Sequence, residues 1–285
     1  APAYFRVTVR CHYRKAFERA GEEAELALNV LRFFLSQFDT YMSTVPTEMG
    51  ILGTLHEGTY NHMYIARDGV ALDEQFPGAS ASFRHTKPFK VDKETVAYIQ
   101  NRGLTSINLH LQSLKDGAGN EIARSLLRAI SWFGKATNAR STGESFLLYA
   151  VAVEGLLLGG ERPRKETYAL RIAALITRQG DEGIFPFGGL ISTAFDDNLE
   201  AASDRSARFR VVYESSVELF RIRNQIAHGE KLDNEIAHTD LHDFKTLVRN
   251  AILSFVIGGW DGLAEFKQWM SRSLDTVYQF HPPPV

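Results

Sequence analysis

The sequence predicts an α+β chain: a small N-terminal α/β region over residues 1–117, then an all-α helical bundle over residues 118–280. Three observations carry this expectation. The stretches that read as strands, beginning with the alternating "YFRVTVRCHY", all lie before Lys90. After Asn120 the regular elements all show apolar residues at helical spacing. Between the two lies "KDGAGN", Lys115–Asn120, a turn-forming stretch and the best boundary in the chain. The 285 residues allow one large or two ordinary domains. At 44% hydrophobic, the chain has enough apolar surface to bury a core.

Taken in order, "YFRVTVRCHY" alternates, with Phe5, Val7, Val9 and Cys11 on one face, and predicts a half-buried strand. "KAFERAGEEAELALNVLRFFLSQF" follows with Phe17, Leu26, Val30, Phe33 and Phe34 at helical spacing. "MGILGTLHEGTYNHMYIARDG" and "ASASFRH" read as strands separated by turn residues. Thr95 to Leu114 reads as a helix broken near Gly103. Past the boundary, "EIARSLLRAISWFGKAT" puts Ile122, Leu126, Ile130 and Phe133 on one stripe. "STGESFLLYAVAVEGLLLGG" opens with Ser141 and Glu144 in capping-box spacing and closes on paired glycines. "RKETYALRIAALITR" is a third helix, and Gln179 to about Arg205 reads as a loop-like insertion. A helix ending in "ELFRIRNQIAHGE", Glu218–Glu230, comes next, followed by two more helices and a "HPPPV" tail.

Several function classes are excluded or narrowed. A net charge of −2 leaves no global basic field, so nucleic-acid binding requires a local patch. The single cysteine, Cys11, excludes an intrachain disulfide framework and a cysteine-based zinc cluster, and fits a reducing cytoplasm. The longest apolar run is too short for a membrane span and is interrupted by Glu154. Nothing reads as a secretory signal. "GAGN" and "FGGL" lack the lysine of a phosphate-binding loop and the dinucleotide fingerprint, so they read as turns. His238 and His242 are four apart beside Asp240 and Asp243, but two ligands are too few for a metal site, and they read as polar residues opening the next helix. "RPRK", Arg162–Lys165, reads as a solvated basic loop.

The segment ending in "ELFRIRNQIAHGE" has an unusual pattern. On a helical wheel Val212, Leu219, Ile222 and Ile226 form one apolar stripe. Nearly opposite lie Tyr213, Val217, Phe220, Asn224 and His228, half apolar and half polar. Two accounts fit: both faces are buried within one chain, or the second stripe meets another subunit. Asn224 and His228 are helical neighbours, with Arg223 and Arg221 flanking them. The carbonyl end of a helix favours a cation, and Gly229 can cap the helix while leaving the imidazole uncovered. An arginine, an amide and a histidine grouped this way suit a phosphodiester. Elsewhere, Glu154 and Arg171 each sit within an apolar helix. A lone buried carboxylate is costly, so a structural Glu154–Arg171 pair is expected, with a place behind the cleft as the alternative.

This setting resembles the HEPN superfamily, and within it the Apea-like HEPN group. The family motif is an arginine, a polar residue, three further residues and a histidine, here "RNQIAH", Arg223–His228. The likeness extends to "LLRAISWFGKA", "FLLYAVAVEGLLL" and "YALRIAALI" as the preceding bundle helices, and covers about residues 118–275. The resemblance implies a cofactor-free, metal-independent endoribonuclease acting on RNA in toxin or antiviral defence. It implies a homodimer in which two motif helices build one cleft, through Tyr213, Val217 and Phe220. Arg223, Asn224 and His228 would be catalytic, with Arg221, Glu154 and Arg171 behind them. Arg221 also fits a looser family spacing, but Asn224 directly follows Arg223. Two alternatives are a catalytically idle dimerisation or RNA-binding module, and a subunit regulated by a partner protein of a defence system.

Overall fold

The computed structural model describes residues 13–36, 62–67, 70–75, 93–117, 121–139, 141–157, 165–177, 205–260 and 262–280. In chain order the elements are helix α1 (Tyr13–Leu35), strands β1 (His62–Arg67) and β2 (Val70–Gln75), and helix α2 (Lys93–Ile99). A π-helical turn (Gln100–Leu104) leads into α3 (Thr105–Lys115). Then come α4 (Glu121–Thr137), α5 (Thr142–Leu157), α6 (Lys165–Ile176), α7 (Arg205–Ala227), a short 3-10 turn (Asp233–Glu235), α8 (His238–Ile257) and α9 (Leu263–Phe280).

The expected α+β architecture is overturned: the fold is a helical bundle. Among the described residues the strands amount to one antiparallel ribbon, paired from His62 with Gln75 to Arg67 with Val70. Two strands are a hairpin and do not build the sheet layer that an α/β region needs. Within the described residues, the "MGILGTLHEGTYNHMYIARDG" stretch is strand only over β1. The strand expected at residues 4–13 lies outside the described residues except for Tyr13, which opens α1. The strand expected at Ala79–His85 lies outside them too, as does most of the insertion expected after Gln179. Alternation over a few residues reports a half-buried ribbon as readily as a sheet, so the pattern alone overstates the β content.

The chain divides into two compact units, one of residues 1–28 and 43–90, the other of residues 29–42 and 91–285. The division does not fall at Lys115–Asn120: α2, α3 and the end of α1 belong to the same unit as the bundle. Within that unit α4 packs along α5, and α6 along α7, while α8 is almost wholly buried from Phe244 to Val256. Phe33 meets Phe133 edge-on at 5.2 Å, and Phe133 meets Tyr149 at 4.9 Å. Tyr168, Phe220, Phe244 and Phe146 form a second aromatic chain, and Phe255, Trp260, Phe266 and Trp269 a third. Such ring pairs add to the stabilisation from area burial.

Close approach explains one glycine. A Cβ at Gly134 of α4 would lie 2.7 Å from the Cα of Asn29 of α1, so the two backbones touch there. Replacing a helical glycine by alanine ordinarily stabilises a helix by up to about 1 kcal/mol. Here the sign reverses: Gly134→Ala is expected to destabilise by about 1–3 kcal/mol through overpacking. A denaturant melt checks this, and a stabilised variant would show that α1 does not press on α4.

Candidate functional site

Helix α7 carries the motif, and the structure shows how its two faces are used. Val212, Leu219 and Ile222 are buried, as their stripe requires, and Ile226 is half-buried. The opposite stripe splits. Phe220 is only 2% exposed, stacked on Tyr168 at 4.5 Å and edge-on to Phe244 at 5.7 Å. It is core of its own chain and is not available as an interface residue. Of the two accounts open to the sequence, burial within one chain holds at Phe220. Tyr213 and Val217 remain half-exposed, with Tyr213 parallel to Phe209. The wheel does not separate these cases because it does not say how far around α7 the neighbouring helices α6 and α8 wrap.

Arg223 reaches across to α5. Its Nη2 lies 2.8 Å from Glu154 Oε1, and its Nη1 donates to Asn224 Oδ1 at 3.0 Å. Both side chains of the ion pair are about one-quarter exposed. Each terminal nitrogen of the guanidinium carries a second hydrogen, so donors remain for an anionic ligand. Asn224 accepts through its oxygen, which leaves its NH2 group to donate outward. The expected Glu154–Arg171 pair is thereby corrected. Arg171 instead donates from Nη1 to the backbone carbonyl of Leu157 at 3.2 Å, capping the end of α5. The Glu154 carboxylate is met by Arg223, which α7 delivers to it. Arg221 is exposed and forked onto Glu218, at 2.8 Å and 2.5 Å, on the outer surface. This geometry separates the two candidate arginines: Arg223 belongs to the α5–α7 cluster and Arg221 does not.

Burial pushes the Glu154 carboxyl above its usual value of 4.5, and the Arg223 charge and hydrogen bond oppose that shift without cancelling it. The Glu218 carboxyl is held low, chiefly by the hydrogen bond from Arg221.

The end of α7 is a Schellman turn. Glu230 N donates to Gln225 O at 2.8 Å and Gly229 N to Ile226 O at 3.1 Å, with Gly229 at φ 73°. Any residue with a Cβ would be strained at that φ. His228 sits just before it, exposed, its N–H bonded to Asn224 O at 3.0 Å. The loop beyond is tied back to the bundle. Asp233 Oδ1 accepts from Gly143 N at 2.5 Å, in the first turn of α5, and Glu235 Oε2 accepts from Leu232 N at 2.6 Å. Ser141 Oγ accepts from Glu144 N at 3.1 Å, the cap its spacing predicts. No local pattern signals the Asp233 tie, because its partner lies 90 residues earlier.

His238 and His242 open α8, and Lys165 opens α6 against Glu166. Among the described residues no group of three or more His, Cys, Asp or Glu side chains is placed to hold a metal ion. None of the described helices is long and apolar enough to cross a membrane.

No family model, curated protein or solved structure matches the chain.

Glu154 binds its proton more tightly in the folded chain than in the unfolded one. Protonation therefore favours the fold; this contribution is complete below the unfolded carboxylate value and is lost as pH rises through the raised folded value. Melting temperatures across acid pH should show wild type losing ground against Glu154→Gln as pH rises through that window; a constant difference would contradict it. Separately, Asp233→Ala removes a charged cap from α5 and should cost about 1–2 kcal/mol, read by thermal melting.

Proposed function

We propose that the chain is a metal-independent endoribonuclease in which Arg223, Asn224 and His228 act on the RNA phosphodiester. The observation that carries this reading is the Arg223 cluster: an arginine positioned by Glu154 at 2.8 Å, with the Asn224 amide beside it and an exposed His228 one turn on. The resemblance of "RNQIAH" to the HEPN motif adds to it.

The chemistry requires no metal. The ribose 2′-oxygen attacks the adjacent phosphorus, the bond from phosphorus to the 5′-oxygen breaks, and a 2′,3′-cyclic phosphate forms. His228 moves a proton, from the 2′-hydroxyl as base or to the departing 5′-oxygen as acid. Arg223 and Asn224 donate hydrogen bonds to the phosphate oxygens as charge grows on them. The proposal includes a homodimer that brings two His228 side chains to one cleft and lets them divide those tasks. The half-exposed Tyr213 and Val217 support that interface, without Phe220. A role in toxin or antiviral defence, alone or with a partner protein, belongs to the same proposal.

One observation favours a second reading. Arg223 already has a carboxylate partner, so it can serve purely to bind α7 to α5, leaving an idle module. Purified protein and His228→Ala, incubated with total RNA in EDTA, separate the two. The nuclease reading expects cleavage by wild type and a decrease of at least about 100-fold in His228→Ala, the scale of a missing acid–base group. Cleavage that survives His228→Ala, or that needs added divalent metal, would sink it.

A further inference from the structure

The outward face of α4 is predominantly basic. Its inward face is apolar: Ile122, Leu126, Ile130 and Phe133 are all essentially inaccessible. Outward it exposes Arg124, Arg128 and Lys135, with Ser125, Ser131 and Trp132 half-exposed between them. Glu121 is the single carboxylate of α4 and stands at its first residue. Arg124, Arg128, Trp132 and Lys135 are spaced four, four and three, so they line up along one side of the helix. The line is about 17 Å long at the helical rise per residue.

Some exposed bases of the chain are held by acids. Arg19 is paired with Glu22 and Glu23, Arg221 with Glu218, and Lys165 with Glu166. Arg128 and Lys135 take part in no ion pair among the described residues, and no acid stands three or four positions from either on α4. The Lys135 ammonium instead lies 4.5 Å from the centroid of the Trp132 ring. That arrangement holds an aromatic surface and a positive charge together at the solvent boundary. In a chain of net charge −2, a line of cations with a ring set into it is a local polyanion surface rather than part of a general basic field.

We infer that this face of α4 is a track for single-stranded RNA, with Arg124, Arg128 and Lys135 meeting successive phosphates and Trp132 offering a stacking surface to a base. A cationic line with an aromatic residue in it is the arrangement by which single strands are held without sequence preference. The inference rests on RNA being the substrate, and it adds a binding surface on a helix that carries none of the motif residues. A positively charged line without a ring would serve a duplex equally well; Trp132 favours an unpaired strand.

The test uses the 285-residue chain carrying His228→Ala, so that RNA is not consumed, and a fluorescein-labelled oligouridylate followed by anisotropy. In this background Arg128→Glu with Lys135→Glu is expected to weaken binding by at least about tenfold at low salt. It should also reduce the slope of log K against log salt by about 0.7 for each phosphate that the protein no longer neutralises. Trp132→Leu should weaken binding at every salt concentration while leaving the slope unchanged. Both sets of substitutions lie on exposed or half-exposed positions, and circular dichroism melts confirm that the variants fold. Unchanged affinity and slope in the double charge variant would overturn the track, as would equal affinity for a duplex of the same length. The cleavage reading fails separately: wild type that cuts no RNA but still binds through α4 would end that reading and leave the track standing.

Discussion

The site depends on one interaction, the 2.8 Å ion pair between Glu154 on α5 and Arg223 on α7. Helix α5 is apolar around nearly its whole circumference, so a carboxylate placed within it must find a cation or shed its charge. The structure does both in part: the carboxyl has a partner, and burial still raises it above its ordinary value. Because the partner comes from α7, the pair ties α7 to α5. On the same helix Phe220 packs onto Tyr168 and Phe244, and Asn224 stands beside Arg223. Arg223 is thus held by two neighbours, Glu154 across the helix packing and Asn224 on its own helix.

The end of α7 is built as firmly as its middle. The Schellman turn at Gly229 satisfies the last carbonyls, and Asp233 binds the following loop to the first turn of α5. Helix α5 is thus fastened to the motif segment at two points by different means: a charged cap at Gly143 and an ion pair at Glu154. His228 lies between Arg223 and Asp233 in sequence and stays open to solvent.

The helices from α4 onward are legible in the sequence because each carries a long apolar period, and several carry explicit end signals. The Ser141 cap and the Gly229 stop are hydrogen-bonded as their residue types dictate. What is not legible depends on tertiary geometry. A strand pattern does not say how many strands pair, so it points to an α/β region where the described residues hold a single two-stranded ribbon. An apolar helix marks Glu154 as needing a partner, but the choice between Arg171 and Arg223 depends on where α6 and α7 cross α5, and residue spacing does not encode that. The helical wheel places Phe220 on a second apolar stripe, but its burial depends on helices α6 and α8 closing over it. The exposed line on α4 is visible on the same kind of wheel, but the contact between Lys135 and the Trp132 ring within it is not.

The most direct measurement of the central claim is the chemistry of the RNA ends left by the wild-type protein in EDTA, read by mass spectrometry of a defined oligonucleotide. Attack by the 2′-oxygen, with His228 moving the proton and no metal present, predicts a 2′,3′-cyclic phosphate on one fragment and a 5′-hydroxyl on the other. Fragments carrying a 3′-hydroxyl and a 5′-phosphate would mean that water, not the 2′-oxygen, attacked phosphorus, and would contradict the account.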